Sequence, residues 1–210
     1  MIPEVPISAS GLPSLTSQLV VARTLESPGY VSDPFRSSVP DLKADQSVYY
    51  PLAGSCSGEE WIDIVTIGPD LAVGNQYITV ASSSSGFSGV DGVLGLGPDD
   101  LTVGTLTNMP TETIPTVVDN LYTQGSISEE VIGIYFTPYS APSTGELTFG
   151  GYDSTVVTSS VNYVPLTTTS PASLYWGIDQ SITYGGSTIL SSTAGIVDTG
   201  TTLILIASSE

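Results

Sequence analysis

The run Asp198-Thr199-Gly200-Thr201-Thr202 puts a carboxylate on a tight turn between two apolar stretches, Ala194-Gly195-Ile196-Val197 before it and Leu203-Ile204-Leu205-Ile206 after it. A carboxylate in such surroundings can act on water. An ionised aspartate takes a proton from the water as a general base, and a neutral carboxyl beside it gives one to a carbonyl oxygen and later to a leaving nitrogen. Two carboxyls about 3 Å apart cannot both ionise, so such a pair shares one proton and titrates as a unit. The neighbours of Asp198 suit this role. Gly200 permits a tight turn and presents its backbone N–H without a side chain in the way. The Thr201 hydroxyl can donate to a carboxylate oxygen. The plainer alternative is an ordinary Asp-x-Gly β-turn, which any β protein uses. Asp-Thr-Gly occurs once in the sequence, and no Asp-Ser-Gly accompanies it.

Composition removes most other chemistries. With no histidine, a Ser-His-Asp or Cys-His mechanism is excluded. Cys56 is the only cysteine, so the chain forms no internal disulfide and no thiolate zinc cluster. No metal or other cofactor is expected. Net charge is −18, and the only basic residues are Arg23, Arg36 and Lys43. Nucleic acid and acidic lipid surfaces are therefore poor partners. Such a body repels itself at neutral pH, and the repulsion falls where carboxylates protonate, near the model values of about 3.9 for Asp and 4.3 for Glu. That balance suits a protein built for acid, and equally a solubility device for a secreted one. No apolar run is long enough to span a bilayer. The N-terminus does not read as a signal peptide, because it lacks a basic start and Pro3, Pro6 and Pro13 interrupt it.

The elements that must position Asp198 read as short strands. Trp61–Ile67 is rich in β-branched and aromatic residues and stops at Gly68-Pro69-Asp70. Strands are also expected over 76–81, 131–137, 146–150, 161–166, 175–184 and 187–190, with a glycine-punctuated apolar segment over 86–97. Residues 117–123 are the best helix, with Pro115 near the start and Gly125 at the end. Leu15–Thr24 forms either a short strand or a helix; periodicity does not decide. The pattern implies an all-β barrel or sandwich.

Several ordered segments resemble the pepsin-like aspartic peptidases, nearest their polyporopepsin-type fungal branch. Asp91-Gly92-Val93-Leu94-Gly95-Leu96-Gly97 is similar to the apolar-apolar-Gly strand that threads beside the first catalytic loop of that family. Gly145-Glu146-Leu147-Thr148-Phe149-Gly150-Gly151-Tyr152-Asp153 resembles the strand and turn that begin the crossing between lobes. Asn162-Tyr163-Val164-Pro165-Leu166 and Tyr175-Trp176-Gly177-Ile178 resemble the two strands that follow. Gly54-Ser55-Cys56-Ser57-Gly58 looks like the turn of the hairpin flap over the cleft. The resemblance implies a partial bilobal acid-protease fold. Residues 1–48 stay unassigned. Residues 49–158 form a partial first lobe, lacking its N-terminal strands but holding the flap-like turn and the inter-lobe strand. Residues 159–210 begin the second lobe, up to the catalytic Asp-Thr-Gly.

The resemblance also assigns roles. Asp198 is the second catalytic aspartate; Gly200 and Thr201 support its carboxylate, and Thr199 bonds across to the partner loop. Val93 and Ile196 line apolar subsites or pack the core. Tyr50 stands one residue too far upstream for the family's flap tyrosine, with Pro51 after it. The substrate is a peptide or protein, the full-length family is monomeric, and the setting is extracellular or vacuolar. The sequence departs from the pattern in lacking the upstream Asp-Thr-Gly and most of the second lobe, as a fragment would. Asp63 and Asp91 do not lie on loops of the right kind to replace the missing partner. Three other readings compete with an endopeptidase: a peptide-binding or decoy protein of the same fold, a Ser/Thr-rich cell-wall protein, and a homodimer with one aspartate from each chain.

Overall fold

The computed structural model describes residues 19–21, 41–50, 54–68, 70–87, 92–138, 140–141, 145–201 and 203–207, the first two segments by their backbone alone. Its largest sheet has five strands in the order β2-β3-β4-β1-β5. These are β1 (Leu19–Val21), β2 (Asp41–Tyr50), β3 (Gly54–Gly68), β4 (Leu71–Ser85) and β5 (Gly92–Leu94). Two further antiparallel pairs follow, β6 (Ile132–Tyr135) with β7 (Glu146–Phe149), and β8 (Gly177–Tyr184) with β9 (Ser187–Ile196). The fold is the all-β type that the sequence implies, with one short α-helix among the described residues. Among the described residues no helix is long and apolar enough to cross a membrane, which says nothing of strands.

The β3–β4 hairpin carries the core. Its ladder runs from Ser55↔Ser85 to Gly68↔Leu71, with register shifts on the way. One shift lies between Asp63 and Val65, opposite Asn75 at φ +54. Asparagine tolerates that left-handed backbone better than most residues. Across it the inward parity of β4 changes, from Leu71 and Val73 to Gln76 and Ile78, all buried. The residue re-aimed inward is thus polar, and it is satisfied: Asn120 Nδ2 donates to Gln76 Oε1 at 3.0 Å.

Helix α1 (Val117–Thr123) covers this face. Thr116 and Asp119 form a capping box: Asp119 N–H donates to Thr116 Oγ1, and Thr116 N–H donates to Asp119 Oδ2 at 2.6 Å. Gly125 at φ +77 ends the helix, with Gly125 N–H on Tyr122 O and Ser126 N–H on Leu121 O, the paired bonds of a left-handed C-terminal cap. Val117, Val118 and Leu121 pack into one cluster with Val65, Leu71, Val73, Ile78, Leu96, Ile127 and Phe149.

Several expectations need correction. Residues 161–166 make no strand; Tyr163 is 81% exposed and Val164 53%. β-branched residues become a strand only beside a partner, and among the described residues the backbone anchor comes just past the segment's end, Thr167 N–H on Gly177 O at 2.9 Å. Residues 203–206 likewise form no strand and are exposed, so one of the two apolar walls expected around Asp198 is not a packed wall. Gly54–Gly58 lies within β3 rather than in a turn. The β2–β3 ladder closes on Tyr50↔Gly54, which leaves Pro51 outside it and outside the described residues. Residues 19–21 are strand, and β1 and part of β2 come from the unassigned first 48 residues.

Candidate active site

Strand β9 delivers Asp198. Gly185 and Gly186, at φ +57 and +82, turn β8 back into β9, as a two-residue hairpin with both central residues at positive φ requires. The ladder then runs to Gly177↔Ile196. One more bond continues it, from Val197 N–H to Trp176 O at 2.9 Å. The chain turns immediately afterwards, with Thr201 N–H reaching back to Asp198 O at 3.4 Å.

Within that turn both carboxylate oxygens of Asp198 are held. Gly200 N–H donates to Oδ1 at 2.9 Å, and Thr201 Oγ1 donates to Oδ2 at 2.6 Å. Asp198, Thr199, Gly200 and Thr201 are all half-buried. A half-buried carboxylate with two donors from its own loop is fixed in orientation while still reachable from solvent. Among the described residues Thr199 makes no side-chain hydrogen bond.

The other candidates that the structure describes lie on four different strands. Val93 is buried at 6% exposure in β5, opposite Val20. Ile196 stands two residues before Asp198 and is 42% exposed. Tyr50 is the last β2 residue of the β2–β3 ladder, and its side chain lies outside the described set. Asp63 is buried on β3, where its Oδ1 accepts from Ile64 N–H at 2.8 Å. Asp91 lies outside the described residues.

Two residues acquire an importance that no sequence signal gave them. Glu60 is buried at 2% exposure and accepts a hydrogen bond from Thr79 Oγ1 at 2.6 Å. Burial pushes its carboxyl up to about 7, against a smaller lowering by the Thr79 bond. Trp176 donates from its indole nitrogen to Leu96 O at 2.9 Å, across 80 positions of sequence. Nothing local in the sequence marks either, since their partners stand 19 and 80 positions away.

Comparison with known proteins bears on this geometry. The eukaryotic aspartyl protease family matches residues 32–210. Polyporopepsin of Irpex lacteus is 58% identical over 159 residues, covering 74% of this chain and 46% of that protein. Rhizopuspepsin-1 of Rhizopus niveus is 37% identical over 164 residues, 76% of this chain and 39% of that protein. The crystal structure of an aspartic proteinase from Irpex lacteus superposes with a TM-score of 0.84 at 48% identity, covering 99% of this chain and 61% of that one. The chain thus spans about half the length, or less, of the curated relatives it matches.

Proposed function

This chain belongs to the eukaryotic aspartyl protease family, and from that membership we propose that it serves the acid hydrolysis of peptide bonds, with Asp198 as one of the two carboxylates that activate water. One observation carries the proposal: both oxygens of that carboxylate are held from within its own loop, by Gly200 and Thr201. A base fixed in this way needs little reorganisation as water and a carbonyl group approach. The ionised form takes the proton of the attacking water. A neutral partner carboxyl protonates the carbonyl oxygen, and a proton then reaches the leaving nitrogen.

The partner is what the sequence does not supply in the same motif, since its 210 residues contain one Asp-Thr-Gly. We therefore assign the isolated chain no appreciable peptidase activity. The same fact favours a second reading, a peptide-binding protein of this fold without hydrolysis. In either case the ligand is a peptide or unfolded protein. Ile196 offers an apolar contact beside the carboxylate, Val93 supports the neighbouring strand from within the core, and Tyr50 stands at the end of the β2–β3 ladder. The setting proposed is extracellular or vacuolar, consistent with a charge of −18 that acid would reduce.

A chimera tests the competence of Asp198 separately from the activity of the isolated chain. The 159 matched residues of Irpex lacteus polyporopepsin are replaced by those of this chain. The folded chimera should cleave a denatured protein in acid, and Asp198→Asn within it should lower kcat at least about a thousandfold. A folded chimera that cleaves nothing, or that is indifferent to Asp198→Asn, overturns the proposal.

A further inference from the structure

Resting on the assignment of Asp198 above, we propose that Trp176 is a positioning residue that ties the Asp198 loop to the Gly95-Leu96-Gly97 segment, and through it to the five-stranded sheet. Three observations meet at this one side chain. Its backbone carbonyl accepts from Val197 N–H at 2.9 Å, one residue before Asp198. Its indole N–H donates to Leu96 O at 2.9 Å. Its ring packs, partly buried, against the cluster that holds Leu96, Val73 and Phe149.

The chemistry of each partner explains the choice of tryptophan. Indole nitrogen is a donor only, so a packed tryptophan seeks an acceptor. Leu96 is 6% exposed and lies two residues past the end of β5, beyond the β1–β5 ladder. Among the described residues no strand pairs with the chain there, and a buried carbonyl without a donor is costly. The indole fills that need from the other half of the molecule. Phenylalanine would keep much of the packing and remove the indole donor from that carbonyl.

Position follows from connectivity. From Leu96 the path runs through the indole to the Trp176 backbone, then by one hydrogen bond to Val197 and by one peptide link to Asp198. On the sheet side, Leu96 continues β5, whose Val93 pairs with Val20 of β1. Gly177, next to Trp176, is locked as well: a Cβ there would meet Ala172 O at 2.2 Å. The carboxylate is thereby registered against a sheet from which it is remote in sequence. Misplacement of a reacting group by about 1 Å costs roughly a hundredfold in rate, which is the functional reason for such a tie.

The test uses the unmodified chain and two replacements at position 176, Trp176→Phe and β-(3-benzothienyl)alanine, which keeps the shape of the indole and removes only its N–H. Amide hydrogen exchange is followed by NMR at Val197 and Gly200, with Val73 and Thr79 as sheet references. Both replacements should speed exchange at Val197 and Gly200 by about tenfold, with the references unchanged. Unchanged rates at Val197 and Gly200 overturn the proposal. Equal acceleration at all four sites also overturns it, since loss of packing alone would do that. If neither replacement folds, the unmodified chain decides. Its Trp176 indole proton and Val197 amide should open together, and opening constants that differ by more than about tenfold refute the tie. These rates involve no catalysis. An inactive chimera would sink the catalytic assignment and leave them as they are, while unchanged rates would sink the tie whatever the chimera does.

Discussion

Glu60 sits at 2% exposure on β3, and among the described residues one hydroxyl donates to it, that of Thr79 at 2.6 Å. Opposite it in the ladders stand Ala44 on β2 and Thr79 on β4, neither of them titratable. Burial raises its carboxyl from 4.5 to about 7, so the folded chain holds this proton more tightly than the unfolded one does. The resulting stabilisation is fully present below about pH 4.5 and is lost as pH rises through about 7; it is on the order of 3 kcal/mol. The melting temperature should therefore fall between these two pH values. Glu60→Gln should flatten that slope and melt higher than the wild type at pH 8. Identical pH profiles for the two proteins would show that Glu60 is not the group responsible. At this scale the Asp198 site was legible in sequence, because its geometry is local: Gly200 and Thr201 reach Asp198 from two and three residues away. The burial of Glu60 and the reach of Trp176 were not, because each depends on a partner distant in the chain.

At the scale of elements, what could be read in advance follows the same division. Helix α1 falls on the expected residues because its start and stop signals are local: Thr116 and Asp119 at one end, Gly125 at the other. Thr116→Ala should cost about 1 kcal/mol through loss of the cap, seen as a lower urea midpoint at unchanged slope. No change in midpoint would mean that the capping box contributes nothing. Residues 161–166 and 203–206 have the composition of strands and are not strands, since ladder bonds come from a neighbour and composition cannot supply one. The shift at Asn75 was equally hidden. It moves the inward parity of β4 by one position, and a period-two reading of Gln76–Ala81 carries no trace of it.

At the scale of the whole molecule, charge and exposed apolar surface oppose each other. Exposed side chains gather in residues 161–206, among them Tyr163 at 81%, Tyr184 at 80% and Ile204 at 86%. A net charge of −18 keeps such surfaces apart at neutral pH. Acidification from pH 7 to 4 should therefore raise light scattering, even though the protonated Glu60 favours the folded state there. A chain that stays monomeric at pH 4 would show that these surfaces are covered in solution. The most direct measurement, however, concerns Asp198. The isolated 210-residue chain is incubated with a denatured protein at pH 3–5, with and without a statine-type inhibitor, in parallel with Asp198→Asn. We expect no inhibitor-sensitive cleavage from either protein. Inhibitor-sensitive cleavage by the wild type that disappears in Asp198→Asn would contradict us, and would mean that a second carboxylate completes the pair, from this chain or from another copy of it.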